Sequence, residues 1–313
     1  MEAKHLGKAS PLRCVTCGQA LSCDLEGDAI CGGCHQMYKR DRFGYLELLL
    51  EAPYAPVTGE DYACVQRVAG DRVFVDYMKP LFEREPFETV LEVGCGVGRI
   101  TKLFAEAGAE AYGIDLPILS SLWAREGNDP RRFVCGDATN LPFSDNYFDV
   151  VYSLGVIEHI GTAIGHCTLR NDYEAKRVLF AGELMRVTKP GGRVVIACPN
   201  KSFPIDIQHG PADEARQAHW LRTFVFDRTG LNIHKTWGKY HLPSYGEIRD
   251  LFCKRAGGSE LECLPLRGYF GFGRFSNGFL KPFASIAKVY VNIIPMPLRS
   301  TFFNPYVLVQ IRR

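Results

Sequence analysis

The stretch Val90-Leu91-Glu92-Val93-Gly94-Cys95-Gly96-Val97-Gly98-Arg99-Ile100 decides the fold. A short apolar run, the length of a buried strand, breaks into three glycines at alternate positions just before a helix. Glycine there lets a ligand press against the backbone, and the helix N-terminus offers unpaired N–H groups. The spacing is G-x-G-x-G, with Glu92 two positions ahead of the first glycine. It is not the G-x-G-x-x-G that cradles a dinucleotide pyrophosphate.

Outward from this turn, β-rich runs alternate with helical segments: AYGID (111–115), RFVC (132–135), FDVVYS (148–153) and GRVVIAC (192–198). Such alternation predicts an α/β fold, a mostly parallel sheet with helices on both faces. Two further strand candidates are SELECLPL (259–266) and YVLVQI (306–311). Asp115 ends the second strand, 23 residues after Glu92, where a carboxylate can accept two hydrogen bonds from the cis hydroxyls of a ribose. Asp137, in CGDATNLPF, ends the third, where a carboxylate and adjacent backbone can read an adenine edge. Either aspartate alone can equally be a turn or helix cap. Their shared register fits one nucleoside lying across the C-terminal edge of the sheet.

With these elements in order, LEVGCGVGR (91–99), GID (113–115), GDATNLPFSDNYFDVVYSLGVIEHI (136–160) and ELMRVTKPGGRVVIACPN (183–200) resemble the successive motifs of class I S-adenosylmethionine-dependent methyltransferases of the type 11 kind. The resemblance implies a Rossmann-like, seven-stranded sheet with YVLVQI as an antiparallel strand beside SELECLPL. It implies S-adenosyl-L-methionine as cofactor, with Glu92, Gly94, Cys95, Gly96 and Gly98 along its methionine part and Asp115 with Leu116 at the ribose. By the same analogy Asp137 and Ala138 frame the adenine, and Ser153 and Leu154 close the site.

Ahead of this domain, Cys14/Cys17 and Cys31/Cys34 form two C-x2-C pairs separated by 13 residues. This is structural-zinc spacing, and Gly18 and Gly32 provide backbone freedom for the two tight turns. Gly27 and Asp28 suit a hairpin tip. A module of about 40 residues cannot bury a self-sufficient core, so Zn2+ would supply the missing free energy. His35 is an alternative to Cys34 as the fourth ligand. Residues 1–50 are therefore read as a zinc ribbon, 51–59 (EAPYAPVTG) as a linker, and 60–313 as the catalytic domain, beginning with one or two helices over 60–85. The ribbon resembles the N-terminal zinc module of bacterial ribosomal RNA guanine methyltransferases and Trm112-like domains.

Composition bounds the rest. The chain has 313 residues, 46% hydrophobic and 23% charged, an ordinary globular balance that excludes general disorder. The longest stretch without a charge, Ser300 to Ile311, is far short of the roughly 20 apolar residues of a membrane span. The first ten residues have no apolar core of a secretory signal, so the twelve cysteines read as unpaired thiols of a cytoplasmic protein, with peripheral membrane contact as the variant. Net charge is 0 over residues 1–50, −6 over 51–200 and +8 over 201–313. A basic, aromatic-rich C-terminal third favours an anionic partner, or is simply a solvated face.

Methyl transfer from a sulfonium is an in-line displacement that needs alignment in a dry pocket, and a base only where the nucleophile must lose a proton. The candidate bases are Glu158 and His159 after the fourth strand and Asp206 and His209 after the fifth; His166, His219 and His241 are weaker candidates. Two longer-than-usual segments, Gly161–Tyr173 and Gly268–Pro305, are expected to choose the substrate. The expected acceptor is a small-molecule or lipid-linked O or N nucleophile. The alternatives are an RNA base, disfavoured by a charge-neutral zinc module, and a non-catalytic partner subunit, disfavoured by the intact Glu92, Gly94, Gly96 and Asp115 set.

Overall fold

The computed structural model describes residues 11–21, 27–50, 60–163, 167–206, 208–211, 220–236, 238–269 and 281–313. The linker 51–59, His166, His219 and residues 270–280 of the second expected insertion lie outside them.

The buried strand expected at the glycine turn is β4 (Thr89–Val93), all five residues of which are buried. With β5 (Glu110–Asp115), β6 (Phe133–Gly136), β7 (Phe148–Leu154) and β8 (Thr188–Pro199) it forms a parallel core in the order β8-β7-β4-β5-β6. The chain fills one side of β4 first and then returns to fill the other. The C-terminal ends of β4 and β7 therefore flank a topological switch point, the place where open α/β sheets bind ligands. At the far edge β12 (Tyr306–Arg312) runs antiparallel to β8 and β11 (Glu260–Cys263) antiparallel to β12, as expected for YVLVQI and SELECLPL.

All seven expected strands are present, and an eighth joins them. β3 (Leu46–Leu48), from the N-terminal module, adds in parallel to β6 and extends the opposite edge. The module accordingly is not a bead on a linker. Leu12 bridges Phe143, the Arg13 amide donates to the Pro142 carbonyl at 3.0 Å, and Asn140 donates to the Val15 carbonyl at 3.1 Å. Leu12, Cys14, Leu21, Cys31, Tyr38, Leu46 and Leu48 belong to the same apolar cluster as Leu91, Val93 and Phe143. A segment too short to bury its own core borrows the core of the sheet.

Helices cover both faces. α1 (Glu60–Val73), a π turn at Phe74–Met78 and α2 (Lys79–Glu83) form one continuous helical stretch where one or two helices were expected. α3 (Arg99–Glu106) and α4 (Ser120–Arg125) follow β4 and β5, and α5 (Tyr173–Val187) leads into β8. Beyond β8 come a two-stranded ribbon of β9 (Ile205–Asp206) and β10 (Asn232–Ile233), with α6 (Trp220–Thr229) between them and α7 (Tyr245–Arg249) after them. α8 (Lys281–Ile293) occupies much of the described part of Gly268–Pro305; Val291 and Ile294 pack with Val90 and Phe104, while Ile286, Val289 and Ile293 remain exposed. No helix among the described residues is long and apolar enough to cross a membrane.

Because Leu48 is 1% exposed and packs into the shared core, Leu48→Ala is expected to cost about 2–4 kcal/mol. Denaturant unfolding should show that loss as a lower midpoint of one common transition for module and sheet. A separate early transition of residues 11–50 would contradict the shared core.

Candidate functional site at the sheet switch point

The turn after β4 holds Gly94, Gly96 and Gly98 at φ of 79°, 54° and 75°, the left-handed region that side chains rarely adopt. Two of the three also have no room for a Cβ. One built on Gly94 would lie 2.2 Å from Val156, in the turn after β7, and one on Gly98 2.3 Å from the Phe133 ring. Gly96 instead faces α1, with Tyr62 Oη 3.4 Å and Gln66 Oε1 3.3 Å from its ideal Cβ position. Tyr62 and Gln66 thus border the turn from above, which a reading of 60–85 as generic helix does not reveal.

The turn is braced from behind. Trp123, fully buried, donates its indole N–H to the Gly96 carbonyl at 2.7 Å, and Asn128 Nδ2 donates to the Val97 carbonyl at 2.9 Å. Tyr45, two residues before the centre of β3, donates its hydroxyl to the Asn128 carbonyl at 2.9 Å and meets Trp123 edge-on at 5.2 Å. The N-terminal module therefore reaches the glycine turn through two side chains.

Both carboxylates expected along the turn lie against it, Glu92 buried and Asp115 half-buried. Asp115 accepts the Gly96 amide on Oδ2 at 2.7 Å and the Leu116 amide on Oδ1 at 2.8 Å. Burial pushes its carboxyl up to about 6 against the pull of those amides. Glu92 accepts the Thr101 amide at 3.0 Å and the Thr101 hydroxyl, so it caps the first turn of α3 while facing the glycine loop, and burial pushes it up to about 7. Asp137 Oδ1 closes a turn onto the Thr139 amide and hydroxyl at 2.7 and 2.8 Å. Ala138 packs against the main core and Leu154 against the second cluster, while Cys95 is buried beneath the turn. Ser153, at the end of β7, is 1% exposed and donates its hydroxyl to the Val93 carbonyl at 2.8 Å, bracing β7 to β4.

In the module, the sulfurs of Cys14, Cys17, Cys31 and Cys34 lie within 4.8 Å of one another, with Cys14–Cys34 at 3.5 Å and Cys17–Cys31 at 3.4 Å. A tetrahedral ion with bonds of about 2.3 Å places its sulfurs about 3.8 Å apart, so the four residues fit one zinc. The two turns are alike: the Gly18 amide donates to the Cys14 carbonyl and the His35 amide to the Cys31 carbonyl, at 2.9 and 3.0 Å. Gly18 and His35 sit at φ of 76° and 59°. The left-handed residue of the second turn is therefore His35 and not Gly32, and His35 has a backbone role while Cys34 stands with the other sulfurs. Gly27 and Asp28 lead into β1 (Ala29–Ile30), which pairs with β2 (Met37–Tyr38) across the second cysteine turn, and both are held by Arg40. Residues 22–26 before them lie outside the described residues.

The third grouping lies past the ends of β7 and β8. His209 Nδ1 is 2.9 Å from Asp206 Oδ2, and His209 Nε2 is 3.3 Å from His159 Nε2. Glu158 is fully buried, and its carboxylate reaches within 4.8 Å of both imidazoles; burial pushes it up to about 7. His241, weak on sequence grounds, is brought edge-on to His209 at 5.2 Å. Arg177 of α5 ties the group together by donating to the carbonyls of Ile160, Glu158 and His241. No spacing in the sequence announces Arg177 or His241, since they come from separate elements folded over the β7 turn. Beside His241 a cavity of about 280 Å³ is lined by Leu169, Arg170, Tyr173, Lys239 and Tyr240, the first three from the Gly161–Tyr173 segment.

Residues 91–196 match the family model described as a methyltransferase domain. Over that stretch, about a third of its length, the chain is similar to methyltransferase domains. Over 147 residues it is 33% identical to a demethylmenaquinone methyltransferase of Renibacterium salmoninarum, covering 47% of this chain and 54% of that protein. Over 168 residues it is 31% identical to a malonyl-[acyl-carrier protein] O-methyltransferase of Pectobacterium atrosepticum, covering 54% and 55%. The chain thus spans about half the length of these curated relatives. A solved S-adenosylmethionine-dependent methyltransferase of Mesorhizobium loti aligns with 77% of this chain and all of its own, at 15% identity and a TM-score of 0.42. The matched methyltransferase domain holds the glycine turn, Asp115, Asp137, Glu158 and His159. The cysteine cluster, Asp206, His209 and His241 fall outside it.

A carboxyl whose pKa rises on folding keeps its proton longer in the native state, so its contribution is present below the ordinary value and is lost as pH climbs through the raised one. For Asp115 that window runs from 3.8 to about 6. The thermal midpoint of the ligand-free wild type minus that of Asp115→Asn is therefore expected to fall between pH of about 4 and about 7. A difference that stays flat or rises would show that Asp115 is not buried as described.

Proposed function

We propose that the chain transfers a methyl group from S-adenosyl-L-methionine to an O or N nucleophile of a small-molecule acceptor. The observation that carries this reading is the Asp115 carboxylate seated on the Gly96 amide at the switch point, with Glu92 buried on the other side of the same turn. Asp115 keeps lone pairs for the two ribose hydroxyls. Glu92, acidic and sheltered from water, suits the ammonium of the methionine part. The exposed amides of a turn that tolerates no side chain allow close approach of the ligand. The bound cofactor supplies an electrophilic methyl group, and the protein's share is to align it and exclude water.

The acceptor would enter past His241, which lines the 280 Å³ cavity and stands edge-on to His209. Asp206 fixes the orientation of His209 through Nδ1, and Arg177 fixes the turn that carries Glu158 and His159. Arg170 and Lys239 in the cavity lining suit an anionic acceptor. Among the relatives, those named above act on small or carrier-bound molecules by their names, which supports an acceptor of that kind without choosing one. Zn2+ held by Cys14, Cys17, Cys31 and Cys34 is a structural part of this reading, since four thiolates leave no open position for substrate.

Asp115→Ala is expected to weaken S-adenosylmethionine binding by about 1–3 kcal/mol, roughly 5- to 150-fold, in titration calorimetry. Unchanged affinity would overturn the assigned cofactor site. For the cysteine site, chain reconstituted with Co2+ should show sulfur-to-metal charge transfer that Cys34→Ser weakens or shifts and His35→Gly leaves intact. The reverse pattern would make His35 the ligand.

A further inference from the structure

We propose that Glu158, His159 and His209 form a second metal site, distinct from the cysteine cluster, that takes a divalent first-row transition ion. Three observations meet there. The first is distance: two imidazole nitrogens on one tetrahedral ion, with bonds of about 2.0–2.1 Å, stand about 3.3 Å apart. His159 Nε2 and His209 Nε2 are 3.3 Å apart. The second is an oriented ligand. Asp206 engages His209 at Nδ1, which presents Nε2 to the centre of the group in the carboxylate–histidine arrangement that supports metal-bound imidazoles.

The third is an orphaned charge carrier. Glu158 is 0% exposed, and neither of its carboxylate oxygens has a hydrogen-bond partner among the described residues. Both imidazoles offer a donor atom within 4.8 Å of it. A buried carboxylate without a partner costs several kcal/mol unless a cation or proton meets it. The cation best placed to do so is one bound at the point where both Nε2 atoms converge. His241, also buried and with both ring nitrogens unpartnered among the described residues, stands next in the same cluster.

Two imidazoles and a carboxylate select zinc, iron or manganese over magnesium, which prefers an all-oxygen shell. Three protein ligands leave at least one position open. An ion there would orient an oxygen of the acceptor. That last role rests on the methyl-transfer reading, whereas the site itself does not.

The full chain, its cysteine site filled with Zn2+, is titrated with Co2+ in the absence of S-adenosylmethionine. One equivalent is expected to bind with ligand-field absorption and without the thiolate charge transfer of the cysteine site. Affinity should fall at least tenfold in Glu158→Gln, His159→Gln and His209→Ala and be unchanged in Cys34→Ser, folding of each variant being checked by circular dichroism. Because Glu158 is buried and its variant can fail to fold, a second measurement uses the wild type alone: paramagnetic shifts or broadening of the His159 and His209 imidazole resonances at one equivalent of Co2+. Absence of the extra equivalent, undiminished binding in the folded histidine variants, or imidazole resonances untouched by Co2+ would each overturn the site. Cofactor calorimetry is read separately, so loss of the metal site and loss of the methyltransferase reading are distinguishable outcomes.

Discussion

The hydrogen bond from the Gly96 amide to Asp115 is the contact on which the site depends, because it ties the turn after one strand to the tip of the next. Neither partner is comfortable alone. The turn runs through three left-handed residues, and Asp115 is a carboxylate pushed out of its ordinary range by burial. Each corrects part of the other's difficulty: the carboxylate satisfies an amide that a tight turn leaves unpaired, and the amide makes the buried charge tolerable. What results is a rigid concave edge with polar atoms already aimed outward, the condition for binding without a large reorganisation.

The N-terminal module enters through the same logic of support. β3 extends the sheet next to β6, Tyr45 steadies Trp123 and Asn128 behind the glycine turn, and Leu12 to Val15 hold the segment that follows Asp137. The module thus braces two of the three strand-tip loops assigned to the cofactor. Its charge balance of zero fits a part whose work is packing, not attraction of a polyanion. The two cysteine turns order the module locally, and the shared core anchors it.

Much of this was legible beforehand because it depends on local rules. The glycine turn, its flanking strand, Asp115 and the paired cysteines are short-range patterns in which conformation and chemistry coincide. The eighth strand was not, since three residues, Leu46 to Leu48, carry no strong periodicity and acquire their conformation only by pairing with β6. His35 escaped for a related reason: a left-handed backbone is normally announced by glycine, and here Gly32 stands nearby while a histidine takes the position. The partner of the Ser153 hydroxyl was not legible either, since it is the carbonyl of Val93 on the neighbouring strand.

The histidine group shows why the acceptor side is harder to read than the cofactor side. The cofactor loops are consecutive strand tips, so their order in the chain is their order in space. Glu158 and His159 come from the turn after β7, Asp206 and His209 from the segment after β8, Arg177 from α5, and His241 from the chain after β10. No window of sequence contains more than two of these, and their juxtaposition is produced by packing over the end of the sheet. The matched stretch stops before Asp206, so half of the group lies outside it. A fold whose strand tips are set by chain order can carry a group assembled by packing beside them, and in this chain Glu158 and His241 of that group hold four buried side-chain polar atoms with no partner among the described residues.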